Sequence, residues 1–262
     1  MKSTLAVLTS ALVFVPCLAL AQDRPGAERG GWSLGAVVIA ADSPYVGEGT
    51  RVLPVPAFGY EGERFSLRGL TGVFHLVNTG TFQVDALASA RLDGFDIDDL
   101  SASGLAANGV DASLLSDRDH GLDAGIGLAW AGAYGRVRVQ AVTDISDAGG
   151  GQEVAVNYVY PVQAGAWTWL PGVGVSWMSS DLSGYYFGTL DREVARGVTA
   201  YDPGDAVVPD AGVMVTRRVS ERWRLHAGAR YRFLPSELGD SPLLERGADG
   251  VLSVNVGMAY RF

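Results

Sequence analysis

The chain is short of sulfur, of lysine and of long oily runs. Its one cysteine is Cys17 and its one lysine is Lys2, both near the N-terminus. Beyond them no disulfide and no thiolate metal site can form. After the leader, no uncharged apolar run reaches the roughly 18 residues that a membrane-crossing helix needs. Histidine is scarce too: His75, His120 and His226. A net charge of −9 argues against nucleic acid as a partner.

The early apolar run has its own explanation. Lys2 supplies a positive n-region, Leu5 to Leu20 an apolar h-region, and Ala19-Leu20-Ala21 an A-x-A cleavage site. This predicts a secretory signal peptide over residues 1–21 and a single domain over 22–262. Acylation of Cys17 is the competing reading, and Pro16 before it fits that signal poorly. Every cation after Lys2 is an arginine, which reads as a compositional bias of the source.

What the chain has in abundance is alternation. From Gly250 to Phe262, Leu252, Val254, Val256, Met258, Tyr260 and Phe262 share one face, and Ser253, Asn255, Gly257, Ala259 and Arg261 the other. That period of two is a strand with one oily and one wet face. A strand of this kind closing on an aromatic is what bacterial outer-membrane barrels use, with the oily face to lipid. The same pattern recurs from Trp32, Phe82, Leu122, Val137, Val154, Trp167 and Trp223, and Trp and Tyr gather at strand ends as interfacial belts require. Arg51–Tyr60 reads as a strand despite Pro54 and Pro56, which lack N–H on the same edge and so predict a bulged or weakly paired position. Glu63 to Leu76 reads as one long strand broken at Gly69 and Gly72. The expected fold is all-β, a transmembrane antiparallel β-barrel of about twelve strands in the outer membrane, in contact with its lipid and lipopolysaccharide.

One stretch breaks the rhythm. Residues 93–119 form a long loop, rich in Asp, Ser, Gly and Ala, with room for a short helix. Counted from a periplasmic N-terminus it follows an even strand and would be periplasmic, where turns are usually short, so either a strand is miscounted upstream or the periplasmic loop is a long one. Its cluster of Asp93, Asp96, Asp98 and Asp99 raises calcium binding. Leu100 breaks the EF-hand spacing, however, so a solvated acidic loop is the reading adopted and no metal or cofactor is expected.

The strand read over Arg222–Phe233 carries the candidate site. Arg222, Arg224, His226, Arg230 and Arg232 share one face, and each arginine would cost roughly 2–4 kcal/mol against lipid near the midplane. They are expected to line the lumen, with Asp85, Asp123 and Glu153 as inward partners from other strands. A filled, charge-paired interior is one reading. A small anion-preferring diffusion channel is the other. None of the histidines has the His-x-Ser spacing of barrel lipid deacylases. Ser43 and Ser241 lie in Asp-Ser-Pro turns, and no phosphate loop, zinc spacing or nucleophile elbow is present. No enzyme is expected. Surface adhesion through the loops at 190–208 and 234–249 ranks last.

Several segments together resemble a known family. Ser43-Pro44-Tyr45-Val46-Gly47, Arg51-Val52-Leu53-Pro54-Val55-Pro56 and Tyr60-Glu61-Gly62 are similar to the N-terminal signature of the MltA-interacting protein (MipA)/OmpV family. Tyr185-Tyr186-Phe187-Gly188, Asp240-Ser241-Pro242-Leu243 and the closing Tyr260-Arg261-Phe262 follow in order. The resemblance implies an outer-membrane barrel with a scaffolding role, joining a murein lytic transglycosylase to a penicillin-binding protein. It brings no catalytic residues. If the 93–119 loop is periplasmic, it is the expected contact segment.

Overall fold

The computed structural model describes residues 31–262; the predicted signal peptide, with Lys2 and Cys17, lies outside the described residues. Thirteen strand segments form one antiparallel sheet. In order they are β1 (Gly31–Asp42), β2 (Thr50–Glu61), β3 (Phe65–Arg68), β4 (Thr71–Asn78), β5 (Phe82–Arg91), β6 (Gly121–Gly132) and β7 (Gly135–Asp144). There follow β8 (Gln152–Val159), β9 (Val162–Ala164), β10 (Trp167–Met178), β11 (Ala206–Arg218), β12 (Trp223–Phe233) and β13 (Gly250–Arg261). β8 and β9 pair with the same edge of β10 and count as one interrupted strand. β13 pairs with β1, from Ser33 opposite Arg261 to Ala41 opposite Ser253, and this closes a twelve-strand barrel.

The oily faces point outward as the alternation requires. Leu34, Val38, Val254, Val256 and Met258 are exposed on adjoining strands, while Val37, Ile39, Ser253 and Asn255 between them are turned in. Near the chain termini, Trp32 meets Tyr60 at 5.1 Å, and Tyr260 meets Trp223 at 5.2 Å and Phe262 at 5.1 Å. These rings form one interfacial girdle.

The stretch read as one long strand is two. Gly69 adopts φ +56°, open to glycine at little cost, and with Leu70 turns the chain back so that Phe65–Arg68 pairs with Thr71–Phe74. The extra reversal changes the parity of everything after it. The 93–119 loop follows the fifth strand, not an even one, and shares an end with the loops at 43–49, 179–205 and 234–249, opposite the termini. Short turns on the termini side and long loops opposite make the loop end the extracellular one in a bacterial barrel. Of the two alternatives, the miscounted strand is the one the pairing shows, and the periplasmic placement of the 93–119 loop is set aside.

Candidate functional site

The long loops interlock. The loop after β5 carries a short helix, α1 (Ala102–Ala107), and the loop after β10 carries α2 (Ser180–Phe187) and α3 (Asp191–Val194). A further turn of helix, α4 (Ser236–Gly239), follows β12. Tyr45, Phe95, Leu105, Leu182, Tyr186, Leu238, Leu243 and Leu244, from four separate loops, are almost entirely buried in one apolar cluster. Tyr45 packs at a tilt against Phe95, ring centroids 4.3 Å apart, and donates its hydroxyl to the Tyr186 carbonyl at 3.1 Å. The Val46 N–H donates to Leu243 O at 3.1 Å, and the Ser241 hydroxyl donates to Phe187 O at 2.5 Å. Ser43 and Ser241 thus serve the turns and loop contacts their neighbours predicted.

Arg118 ties this cap. Its guanidinium makes a two-pronged pair with Glu193 at 2.7 and 3.0 Å, both side chains fully buried, and donates to the carbonyls of Ser116, Tyr185 and Gly188. Such fork-to-carboxylate bonds are about twice as strong as neutral ones. Burial pushes the Glu193 carboxyl up; the Arg118 hydrogen bonds and charge more than reverse that and hold it below the ordinary glutamate range.

Beneath the cap the lumen is charged on one side. Arg91, at the inner top of β5, lies within 2.7 Å of Asp123, 2.8 Å of Glu153 and 3.1 Å of Asp93. Asp93 is therefore bound to a cation of the lumen, while Asp99 reaches Arg51 at 3.4 Å. Among the described residues no group of His, Cys, Asp and Glu is disposed to hold a metal ion.

The acids predicted to face the β12 arginines thus have other partners. Asp123 and Glu153 serve Arg91, and Asp85 meets His75 at 2.7 Å and Arg138 at 3.5 Å. Of the predicted arginines, Arg230 pairs with Asp210 at 2.7 Å and donates to Asn157 at 3.3 Å. Arg232 lines a small cleft with Asp93, Phe187 and Leu238 under the cap. Arg224 lies low on β12, level with Arg218 of β11. Arg222 is not on the strand: it sits exposed in the preceding turn, over the Tyr260 ring and bonded to its hydroxyl at 2.7 Å. His226 is buried against Gly257, where any Cβ would come within 2.6 Å of its ring.

One constellation escaped the sequence. Asp85 Oδ1 lies 2.7 Å from His75 Nδ1, and His75 Nε2 lies 2.9 Å from the Ser66 hydroxyl. This is the spatial order of a hydrolytic triad. Ser66, however, has no exposed surface, and its oxygen is also 3.0 Å from Glu61 Oε2. The groups form a closed hydrogen-bond chain across β2–β5, continued by Arg68 on Glu61 at 2.7 Å. A nucleophile must be reachable by its substrate, and this hydroxyl is not. Read as one strand, residues 63–76 put Ser66 and His75 on opposite faces; the turn at Gly69 brings them to the same one. Recognising that turn is the signal that would have found them.

The termini-side rim has the opposite character. Arg64, Arg136, Arg217, Arg218, Arg222 and Arg261 crowd its turns and strand ends, against Glu61, Glu63 and Glu221. Arg217 lies over Trp167 at 5.3 Å.

Residues 34–262 match the family described as MltA-interacting protein MipA. The MltA-interacting protein of Escherichia coli is 31% identical over 235 residues, 89% of this chain and 91% of that protein. Outer membrane protein OmpV of Vibrio cholerae is 29% identical over 212 residues, 78% of this chain and 76% of its own. Among solved structures, the NanC porin aligns over 87% of this chain and 100% of its own at 7% identity, with a TM-score of 0.44.

Proposed function

The chain belongs to the MltA-interacting protein MipA family and is a β-barrel of the outer membrane, and on that premise we propose that it is a scaffold for murein-remodelling enzymes. Its partner is a lytic transglycosylase, which in turn brings a penicillin-binding protein. The docking face is the termini-side rim, and the observation that carries this is the rim's arginine excess on short turns. An anionic face on a periplasmic partner would be steered to such a rim, with a salt-dependent on-rate. The long loops lie at the other end and are committed to one another.

A photo-crosslinking residue at Ser220, in the turn after β11, tests the reading against one at Ser103 in the cap. Capture of a lytic transglycosylase from intact envelopes through position 220 alone is expected. Capture through neither position, or through 103 alone, overturns the docking face. The R217E/R218E pair should weaken capture through 220, and added salt should weaken it in the parent.

The channel reading draws less support. Arg230 is neutralised by Asp210, Arg222 is on the rim, and the interlocked loops lie across the mouth. Planar-bilayer recordings are expected to give no steady current; a steady anion-selective conductance would restore that reading.

A further inference from the structure

The barrel wall is uneven. β2 runs for 12 residues, but its neighbour β3 has 4 and pairs with it only at Gly59, Tyr60 and Glu61. One further bond, from the Gly69 N–H to the Phe58 carbonyl, marks where the support ends. Above the Gly69–Leu70 turn, among the described residues, no strand pairs with that edge of β2 over residues 50–57. This is on the order of 25 Å of strand edge. On the far side stand Ala90 and Arg91 of β5, whose partner β4 ends at Thr71 opposite Ser89. The interval is bounded above by the Arg51–Asp99 pair and by the Ser101 N–H donating to Val46 O.

The sequence is adapted to this interval. Phe58 directs its carbonyl to the β3 side, and backbone groups two apart point the same way. Pro54 and Pro56 therefore turn their N–H-less positions to the unpaired edge. An unanswered N–H in hydrocarbon costs several kcal/mol, and two of them are absent by composition. Pro54 lies level with Val38 and Val256, six positions along β2 from Tyr60 in the girdle, about 15 Å into the membrane. Exposed Val52 and Leu70 flank the interval outside. Inside it, Leu53 and Val55 of β2, Val37 and Ile39 of β1 and Leu87 of β5 line the lumen, where the opposite wall is charged.

We propose that this interval is a lateral portal that admits a linear acyl chain from the surrounding membrane to the apolar inner wall of the barrel. The occupant follows from the medium: the portal opens at hydrocarbon depth between lipid-facing side chains, and the inner wall on its β1–β2 side is aliphatic, with the ion-paired Arg91 cluster across from it. Its polar head stays at the interface on the cap side. This inference does not depend on the scaffold reading.

The test uses the full chain in lipid nanodiscs with a long-chain fatty acid carrying a diazirine near its end, irradiated and mapped by mass spectrometry. Adducts are expected on inward-facing Leu53, Val55 or Leu87 as well as on outward-facing Val38 and Val254. V55W should cut the inner adducts several-fold and leave the outer ones unchanged. A phosphatidylethanolamine with the same labelled chain separates the sources: inner adducts from it mean a membrane lipid enters, and inner adducts from the free acid alone mean a free amphiphile does. Adducts confined to outward-facing residues with both probes overturn the portal, and the parent protein's map decides this even if V55W fails to fold.

Discussion

The two ends of the barrel share one wall and are built on opposite principles. At the cap, four loops from distant parts of the chain exchange side chains, bury tyrosines and leucines, and lock around the Arg118–Glu193 pair. At the rim, each turn is made by its own few residues, the backbone is near water, and arginines crowd the edge. Length of loop is thus a poor guide to where a partner binds. A long loop whose apolar residues are spent on its neighbours has little left to offer, whereas a short charged turn keeps its charge beside water even where it rests on a ring.

The contrast can be broken most forcefully at Arg118. R118L leaves the Glu193 carboxylate buried without its cation, a loss of about 3–5 kcal/mol. The expected result is rapid protease nicking within 92–120 and 179–205, while an unheated sample keeps the gel migration of a folded barrel. Loss of that migration as well would mean the cap and wall are one cooperative unit. R91L comes next. It leaves Asp93, Asp123 and Glu153 facing one another, at a cost of about 3 kcal/mol, and should lower the urea midpoint of the whole barrel. Replacing those acids with Asn and Gln in the same background should recover most of it.

Acid acts on the cap and not on the rim. The folded Glu193 carboxyl titrates below the ordinary glutamate value, so its contribution is complete above that value and is lost as pH falls through it toward the folded one. Loop nicking should therefore rise below about pH 4, with the rim turns unaffected; a pH-independent cap would contradict the role given to the pair. The smallest effect is expected at Ser66. S66A should cost about 1 kcal/mol, the worth of one buried hydrogen bond, and a fluorophosphonate probe should leave Ser66 unlabelled. Labelling there would reopen the hydrolase reading.

Much of the wall was legible because its cause is local. A lipid face and a wet face impose a period of two, and β13, β6 and β12 show it without interruption. The prolines of β2 were readable as a weakly paired edge for the same reason. The β3–β4 hairpin is not legible because a strand broken by glycines and a hairpin turned by one look alike until pairing is known, and with the strand count open by one the side of the 93–119 loop stays open too. The lumen was legible only by face. Which acid meets which arginine depends on register around the whole barrel, so Asp123 and Glu153 could be placed inward while their partner Arg91 could not be named. The segments that carried the family resemblance, at 43–47, 185–188 and 240–243, lie far apart in sequence, and contacts between them hold the cap together.

The seam between β1 and β13 also sets an order in time. Until residues 250–261 reach their place, β1 and β12 each carry a row of unanswered backbone groups that hydrocarbon does not tolerate. The cylinder cannot be laid down strand by strand inside the bilayer; it has to be held as a sheet and shut in one motion. A chain cut short before β13 would be no weaker barrel but an open ribbon with two adhesive margins, and its fate would be aggregation or disposal.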